Sequence, residues 1–491
     1  MVVNHLLQDA SKAVASRIEH DPVWMVSNIF GKHLWSKERE IIQSVDDNYR
    51  TTVRGCHGFG KSFTAGNTAL EFLFRHKNSI VLTTAPTFRQ VEKLVWKEIR
   101  ESYKSSCLPL GGILYAGKPE LQIVKDEWYA MGIATTNSDS FQGFHESYLL
   151  VIVDEAAGVP DEIFESIEGI ITTEGSRLLL VGNPTSTSGT FKDSFSQAAY
   201  HKIHVSAYDT PNFVALGITE EDMASGKWEE KWEASGHKLV CDKLVTPEWV
   251  ADKYVRWGPY STLYKTRVLG EFDDSASDML IPLSWIEAAN ERWQDAEYGV
   301  DTELGADIAE YGRDNTVVAA LSGYKLRPLQ TYNKQKTMET AGKIIRLYNA
   351  LGASVVKIDT IGVGTGVEGR IEEQGYNTIR VNVAENPAGG EEEKKKFINK
   401  RAQLYWNLRE MLNPDAELNP NPLSLPPDDE LTEELCAHRY KVNSKGQIQI
   451  VSKDVIKRTL GRSPDKADAV MMACAPIALF KATPKQHAGT W

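Results

Sequence analysis

The chain has 491 residues, 42% of them apolar and 25% charged, an ordinary globular composition with length enough for two domains. A net charge of −12 excludes a uniformly basic nucleic-acid coat but not a local basic channel. The cysteines Cys56, Cys107, Cys241, Cys436 and Cys474 form no C-x-x-C pair, which fits a reducing compartment and argues against a zinc site.

The opening stretch, MVVNHLLQDASKAVASRIEHD, has neither a basic n-region nor a long apolar core, so no signal peptide is expected. No run approaches the length of a membrane span, and a cytosolic protein is expected. HLWSKEREIIQSV reads as a helix ahead of the first strand. Trp35 and Gln43 there are candidates for adenine contact, with core packing the plainer reading of Trp35.

Next comes RGCHGFGKS, which fits GxxxxGK[ST]. Gly55, Cys56, His57, Gly58, Phe59 and Gly60 would wrap backbone N–H groups around phosphate. Lys61 would reach the β- and γ-phosphates of ATP, and the Ser62 hydroxyl would ligate Mg²⁺. YRTTVRG before it reads as a strand, and KSFTAGNTALEFLFRH after it spaces its apolar residues as a helix does. Strand, glycine loop and helix are the context a phosphate cradle requires.

NSIVLTTAPTFRQVEKLVWKEIRES predicts a strand and then an amphipathic helix from about Phe88. SYLLVIVDEAAGV predicts a buried parallel strand delivering two acids at its carboxyl end. Asp154 would hold Mg²⁺ through water, and Glu155 stands where a general base polarises the attacking water. SRLLLVGNPTSTSGTF gives another buried strand ending in Gly182-Asn183-Pro184, where Asn183 can touch the γ-phosphate; a plain strand-to-turn exit explains it as well. The P-loop ATPase domain is placed at 1–210, and the charged, Trp-rich 211–280 reads as a lid or linker.

From there the chain changes character. In TELGADIAEYGRDNTVVAALSG the alternation predicts a β-hairpin, with Asp307 inside its first apolar strand. A carboxylate there is costly unless paired or holding a metal. ASVVKIDTIGVGTGVEGRI ends a second apolar strand in Asp359. LGRSPDKADAVMMACAPIAL opens a helix with Asp465 and Asp468 three residues apart, on one face. An Asp on a first strand, an Asp on a later strand and an Asp on a late helix are the ingredients of an RNase H-like fold, placed at 281–480, with 481–491 as a flexible tail. Two Mg²⁺ ions about 4 Å apart, held by hard carboxylates, cleave phosphodiesters in this way.

In order and separation, RGCHGFGKS, TTAPTFRQVEKLVWKEI, SFQGFHESYLLVIVDEAAGV and LLLVGNPTSTSGTF resemble the ATPase half of the large terminase subunit of tailed bacteriophages. LGADIAEYGRDNTVV, VVKIDTIGVGTGV and SPDKADAV resemble its nuclease half. The resemblance implies a motor that hydrolyses ATP to move double-stranded DNA into a prohead and cuts concatemers with two metals, Mn²⁺ also serving. It gives Asn183 a coupling role, makes Asp307, Asp359 and Asp468 metal ligands, Asp465 an extra helical acid and Asp314 a weaker auxiliary. Lys400, Arg401 and Arg409 in FINKRAQLYWNLREML become candidates for DNA phosphate contact. The implied partners are the portal protein and the small terminase subunit, in a ring of copies on the portal and a monomer in solution, in the infected host's cytoplasm.

The sequence departs from the family in two places. His57 stands where many relatives carry Arg, with Arg54 a candidate to compensate, and no Arg lies between Arg100 and Arg177 to serve as a trans-acting finger. Arg100, Arg177, another Arg or one of Lys104, Lys118 and Lys125 remain open for that role. A P-loop helicase-nuclease of DNA repair is the rival enzyme, and it needs a second RecA-like lobe that the acidic strands replace. A DNA-binding scaffold with degenerate sites is the non-enzymatic rival.

Overall fold

Strands buried along nearly their whole length organise both halves of the chain. The computed structural model describes residues 14–134, 141, 143–273, 278–309, 315–333, 336–360, 363–415 and 418–480. These fall into two units, Met1–Asp274 and Ser275–Trp491. The stretch 211–280 divides between them, so its larger part, 211–273, folds with the first unit.

The first unit holds an eight-stranded sheet: β1 Arg50–Gly55, β2 Ile80–Thr84, β3 Ile113–Leu114, β4 Glu120–Val124, β5 Trp128–Gly132, β6 Leu149–Asp154, β7 Arg177–Gly182 and β8 His201–Val205. Their order is β3-β4-β5-β2-β6-β7-β1-β8. From β5 through β8 all neighbours run parallel. Every residue of β6 is buried, as a strand covered on both faces must be, which is why it reads as an unbroken apolar run. Helix α1 (Ser36–Asp47) precedes β1, and α2 (Lys61–Arg75) follows it. Gly60 enters α2 with φ 97°, a conformation natural to glycine. The helix beginning at Phe88 contains a π-helical turn, Val91–Val95, before continuing as Trp96–Ser105. Beyond β8 lies α3 (Pro247–Trp257), N-capped by Thr246.

The second unit is built on β9 Thr302–Asp307, β10 Thr316–Ser322, β11 Lys325–Leu326, β12 Gln330–Tyr332, β13 Val355–Asp359 and β14 Thr378–Val381. The order is β11-β10-β9-β13-β14, with β12 also on β10. β10 is antiparallel to β9, whereas β13 is parallel to both β9 and β14. This is the mixed sheet of the RNase H-like fold. Residues 310–314 between β9 and β10, Asp314 among them, lie outside the described residues, as does the 481–491 stretch.

Alternation sorts this sheet's two faces. Leu304, Ala306, Val356 and Ile358 pack in one cluster with Ala341 and Ile344 of α4 (Thr337–Leu351) and Val367 and Ile371 of α5 (Gly364–Glu373). The intervening residues face the other way. There lies the late helix, which follows α6 (Lys400–Leu412), α7 (Asp429–Cys436) and α8 (Lys453–Leu460) as α9 (Asp465–Ala473). Its backbone approaches Gly305 so closely that a Cβ there would collide with Ala473 N and the Ala469 carbonyl. Lys357, fully buried, donates to the Ala473 carbonyl at 2.9 Å and to that of Ala475 at 2.5 Å, and pairs with Glu303. An ammonium thus satisfies carbonyls left over at the helix's C-terminus and meets its negative dipole end. GEEEKKK forms a short exposed helix, Glu391–Lys396, with a Lys394–Glu391 pair at 2.9 Å.

Two candidate phosphate-handling sites

In the first unit, parallel pairing lines up the carboxyl ends of β1, β6 and β7. Arg54 lies opposite Gly182, and Asp154 opposite Val181. Ligands of open α/β sheets bind at such ends. Lys61 Nζ donates to Asn183 Oδ1 at 2.5 Å and pairs with Glu155 Oε1 at 3.4 Å. Asn183 Nδ2 donates to the Gly55 carbonyl at 2.6 Å. Ser62 Oγ donates to Asp154 Oδ2 at 2.9 Å. One short network therefore joins the loop to the ends of β6 and β7. Burial, then the Glu155 charge, pushes the Asp154 carboxyl up to about 6, against the pull of Lys61 and Ser62. Glu155 sits in the left-handed region, φ 48° and ψ 46°. A non-glycine residue held there costs about 1–3 kcal/mol, and such strain collects at functional sites.

The loop itself is braced by the segment beyond β8. Val245 N donates to the Gly58 carbonyl at 2.9 Å, His57 N to that of Arg267 at 2.8 Å, and Cys56 N to that of Val205 at 2.9 Å. The His57 ring stacks on Trp249. Burial, followed by the Arg267 and Lys61 charges, holds its pKa well below the usual imidazole value, so His57 is neutral. It therefore does not supply the cation that the family's arginine would. Burial raises the Cys56 thiol to about 12. The Arg54 guanidinium lies 5.6 Å from the Phe195 and Phe272 rings. Phe59 is fully buried. Of the finger candidates, Arg177 stands at the amino end of β7, bonded to the carbonyls of Asp46, Glu174 and Ser176, and Arg100 bonds the Lys118 carbonyl.

Of the two adenine candidates, Gln43 bonds Asp47 on α1 at 3.0 Å, and the Trp35 indole N–H is buried without a partner. The residue of α1 that meets the loop is Glu38, which the sequence reading passed over. A Cβ on Gly60 would lie 2.5 Å from Glu38 Oε1. Burial raises the Glu38 pKa from 4.5 to about 8, outweighing the backbone N–H of Trp35 that it accepts. A raised carboxyl pKa favours folding below the unfolded value and loses that contribution as pH climbs through the folded one. Stability should therefore fall between pH 4.5 and about 8 on this account. Glu38→Gln, which mimics the protonated acid, is expected to flatten that fall in pH-dependent thermal melts. A melt that keeps its native pH profile would remove Glu38 as the cause.

In the second unit, Asp307 and Asp359 end adjacent parallel strands, with Ala306 paired to Ile358 just before them. By parity they share the face that carries α9. Asp465 and Asp468 occupy the first turn of α9. Asp307, Asp465 and Asp468 surround one ammonium: Lys453 Nζ lies 3.2 Å from Asp307 Oδ2, 4.0 Å from Asp465 Oδ1 and 2.8 Å from Asp468 Oδ2. Burial pushes Asp307 up to about 8, with the charges of Asp468, Asp465 and Asp359 adding to it and Lys453 opposing. Lys453 and its neighbours hold Asp468 below the usual range despite its burial.

These donors are hard oxygens, and several negative charges share one buried place, so a divalent cation suits them chemically. Among the described residues no three are gathered tightly enough to hold an ion as they stand. Lys453 supplies the neutralising charge in their midst. Sequence reasoning missed it because it opens a short polar helix with no strand signal. The proposed DNA contacts are engaged internally. Lys400 pairs with Glu385 at 2.7 Å, Arg401 bonds the Val451 carbonyl and His438, and Arg409 bonds the Leu280 carbonyl and lies over Trp285 and Trp406.

The first unit has the strand, glycine loop and helix of a P-loop fold, and the second has the mixed sheet of an RNase H-like fold. No protein-family model matches the chain. It is 24% identical over 470 residues to a protein described as a probable terminase large subunit of Enterobacteria phage P7, across 91% of this chain and 88% of that one. It is also similar to the nuclease domain of the large terminase subunit of bacterial virus Sf6 (24% identity, 40% of this chain and 98% of that one, TM-score 0.36). Two further solved structures match it: the large terminase of a thermophilic bacteriophage (12%, 90% and 98%, TM-score 0.38) and the large terminase ATPase domain of Thermus phage P74-26 (16%, 52% and 99%, TM-score 0.38). The chain resembles the large terminase subunits of phages over most of its length.

Proposed function

We propose that this chain is the ATP-driven subunit of a viral DNA-packaging motor, which moves double-stranded DNA into a prohead and cuts concatemers with its second unit. The observation that carries the reading is the pair of phosphate-handling sites, each at the carboxyl ends of parallel strands in its own sheet. In the first, Gly55–Ser62 cradle ATP phosphates, Lys61 meets the β- and γ-oxygens, and Glu155 takes the proton of the attacking water. Asn183, bonded to both Lys61 and the Gly55 carbonyl, registers loss of the γ-phosphate because its bond to Lys61 changes when Lys61 moves. In the second, Asp307, Asp359, Asp465 and Asp468 hold Mg²⁺ or Mn²⁺ in place of the Lys453 charge. The ions, when bound, polarise phosphoryl oxygens and lower the pKa of water.

The portal protein, the small terminase subunit and duplex DNA are the partners this role requires, with copies of the chain forming a ring on the portal in the host cytoplasm. The repair helicase reading needs a second RecA-like lobe. The described residues after β8 hold the bracing helices and the RNase H-like sheet instead. Purified chain, small subunit and portal-bearing proheads should render DNA resistant to added nuclease only when ATP is present. ATP hydrolysis without protected DNA in that mixture would refute the packaging role.

A further inference from the structure

Behind the acidic cluster lies a second tier of side chains that the proposed mechanism leaves unused. The Tyr405 hydroxyl on α6, fully buried, donates to Asp468 Oδ1 at 2.6 Å. The opposite oxygen, Oδ2, is the one that faces Lys453 at 2.8 Å. The Tyr405 ring packs on His438, with centroids 4.2 Å apart, and the Arg401 guanidinium lies 5.0 Å from that same ring. His438 Nδ1 meets the Glu434 carbonyl at 2.7 Å, so that nitrogen carries the proton and donates. Nε2 is then the acceptor, and Arg401 Nη2 donates to it at 3.2 Å. The Tyr405 hydroxyl and both His438 nitrogens thus have assigned hydrogen-bonding roles.

The same tier grips the helix that bears Asp468. Glu434 Oε2 accepts from Ala467 N at 2.9 Å, one residue before Asp468, and Arg462 pairs with that carboxylate. Lys357 holds the helix's far end. With the backbone fixed, the remaining freedom of Asp468 is rotation of its carboxylate, and the Tyr405 bond removes it.

We propose that Tyr405 is a positioning residue which orients Asp468 so that Oδ2 alone is presented to a divalent cation. This rests on the nuclease reading of the second unit. A carboxylate free to rotate offers either oxygen, or both, and holds an ion less well. Such outer partners are commonly worth about 10–100-fold in metal affinity.

The test is Mn²⁺ binding to the intact chain without nucleotide, followed through the electron paramagnetic resonance signal of free Mn²⁺. Tyr405→Phe should weaken binding about tenfold. In a background carrying Asp468→Asn, it should change nothing, because the carboxylate through which it acts is gone. A melting temperature and an ATPase rate near native would show that both units remain folded. Should the Phe variant fail to fold, Tyr405→His is measured in both backgrounds against the same criteria. Unchanged Mn²⁺ affinity in the otherwise native chain, or an equal loss in both backgrounds, overturns the inference. Failure of the nuclease reading looks different: the native chain and the Asp359→Asn variant would then bind Mn²⁺ equally.

Discussion

Asp359→Asn is expected to lose metal-dependent DNA cleavage by at least about a hundredfold while ATP hydrolysis continues near the native rate. The substitution keeps volume and removes one negative charge. That charge stands beside Asp307 at the ends of adjacent parallel strands, and it contributes to the rise of the Asp307 carboxyl to about 8. Loss of a direct ligand should exceed the cost of losing an outer-tier partner. ATP turnover should survive because Lys61, Asp154 and Glu155 belong to a separate unit with its own sheet. Nicking of supercoiled plasmid in Mg²⁺ or Mn²⁺, beside phosphate release from ATP, reads both arms. Cleavage at the native rate would place the metal centre elsewhere.

Glu155→Gln should retain nucleotide and lose hydrolysis by about 10²–10⁴-fold, the usual contribution of a positioned general base. The backbone at this position is held left-handed immediately after the buried Asp154, so the amide side chain inherits the same placement. It can still accept from Lys61 but cannot take a proton from water. Retention of a fluorescent ATP analogue, together with phosphate release, separates binding from chemistry. Native turnover would refute the general-base assignment, and loss of nucleotide binding would recast Glu155 as a partner of Lys61.

The residues that sequence reading could place were those whose meaning is local. The glycine spacing before Lys61 specifies a loop through backbone geometry alone. The run from Leu149 to Val153 specifies a strand covered on both faces, so its terminal acids are delivered to one end. Asp307 and Asp359 were legible for a related reason: each charge belongs to an apolar strand, although Asp307 closes its strand instead of lying inside it as the sequence suggests. Lys453 and Tyr405 were not, because they meet Asp307 across 146 residues and Asp468 across 63. Nothing in KDVIKRTL or AQLYWNL states which carboxylate each will find. Lys400, Arg401 and Arg409 fail in the opposite direction. Their charge is obvious, but residue type does not say whether a guanidinium will meet a phosphate or a buried carbonyl. The segment bracing the P-loop works through backbone bonds to Gly58 and His57, which leave no trace in side-chain pattern. Glu38 looked like an ordinary first-turn acid and lies against Gly60.

The contact between Gly305 and the late helix has a wider consequence. With the helix seated against bare backbone and Lys357 and Glu434 gripping its ends, Asp465 and Asp468 are drawn beside Asp307 by folding alone. A cation arriving later meets carboxylates already gathered around Lys453, whose charge it must displace, unlike zinc modules whose folding waits for the ion. On the packaging reading, control over cutting then falls both on the displacement of Lys453 by an ion and on the route the duplex takes.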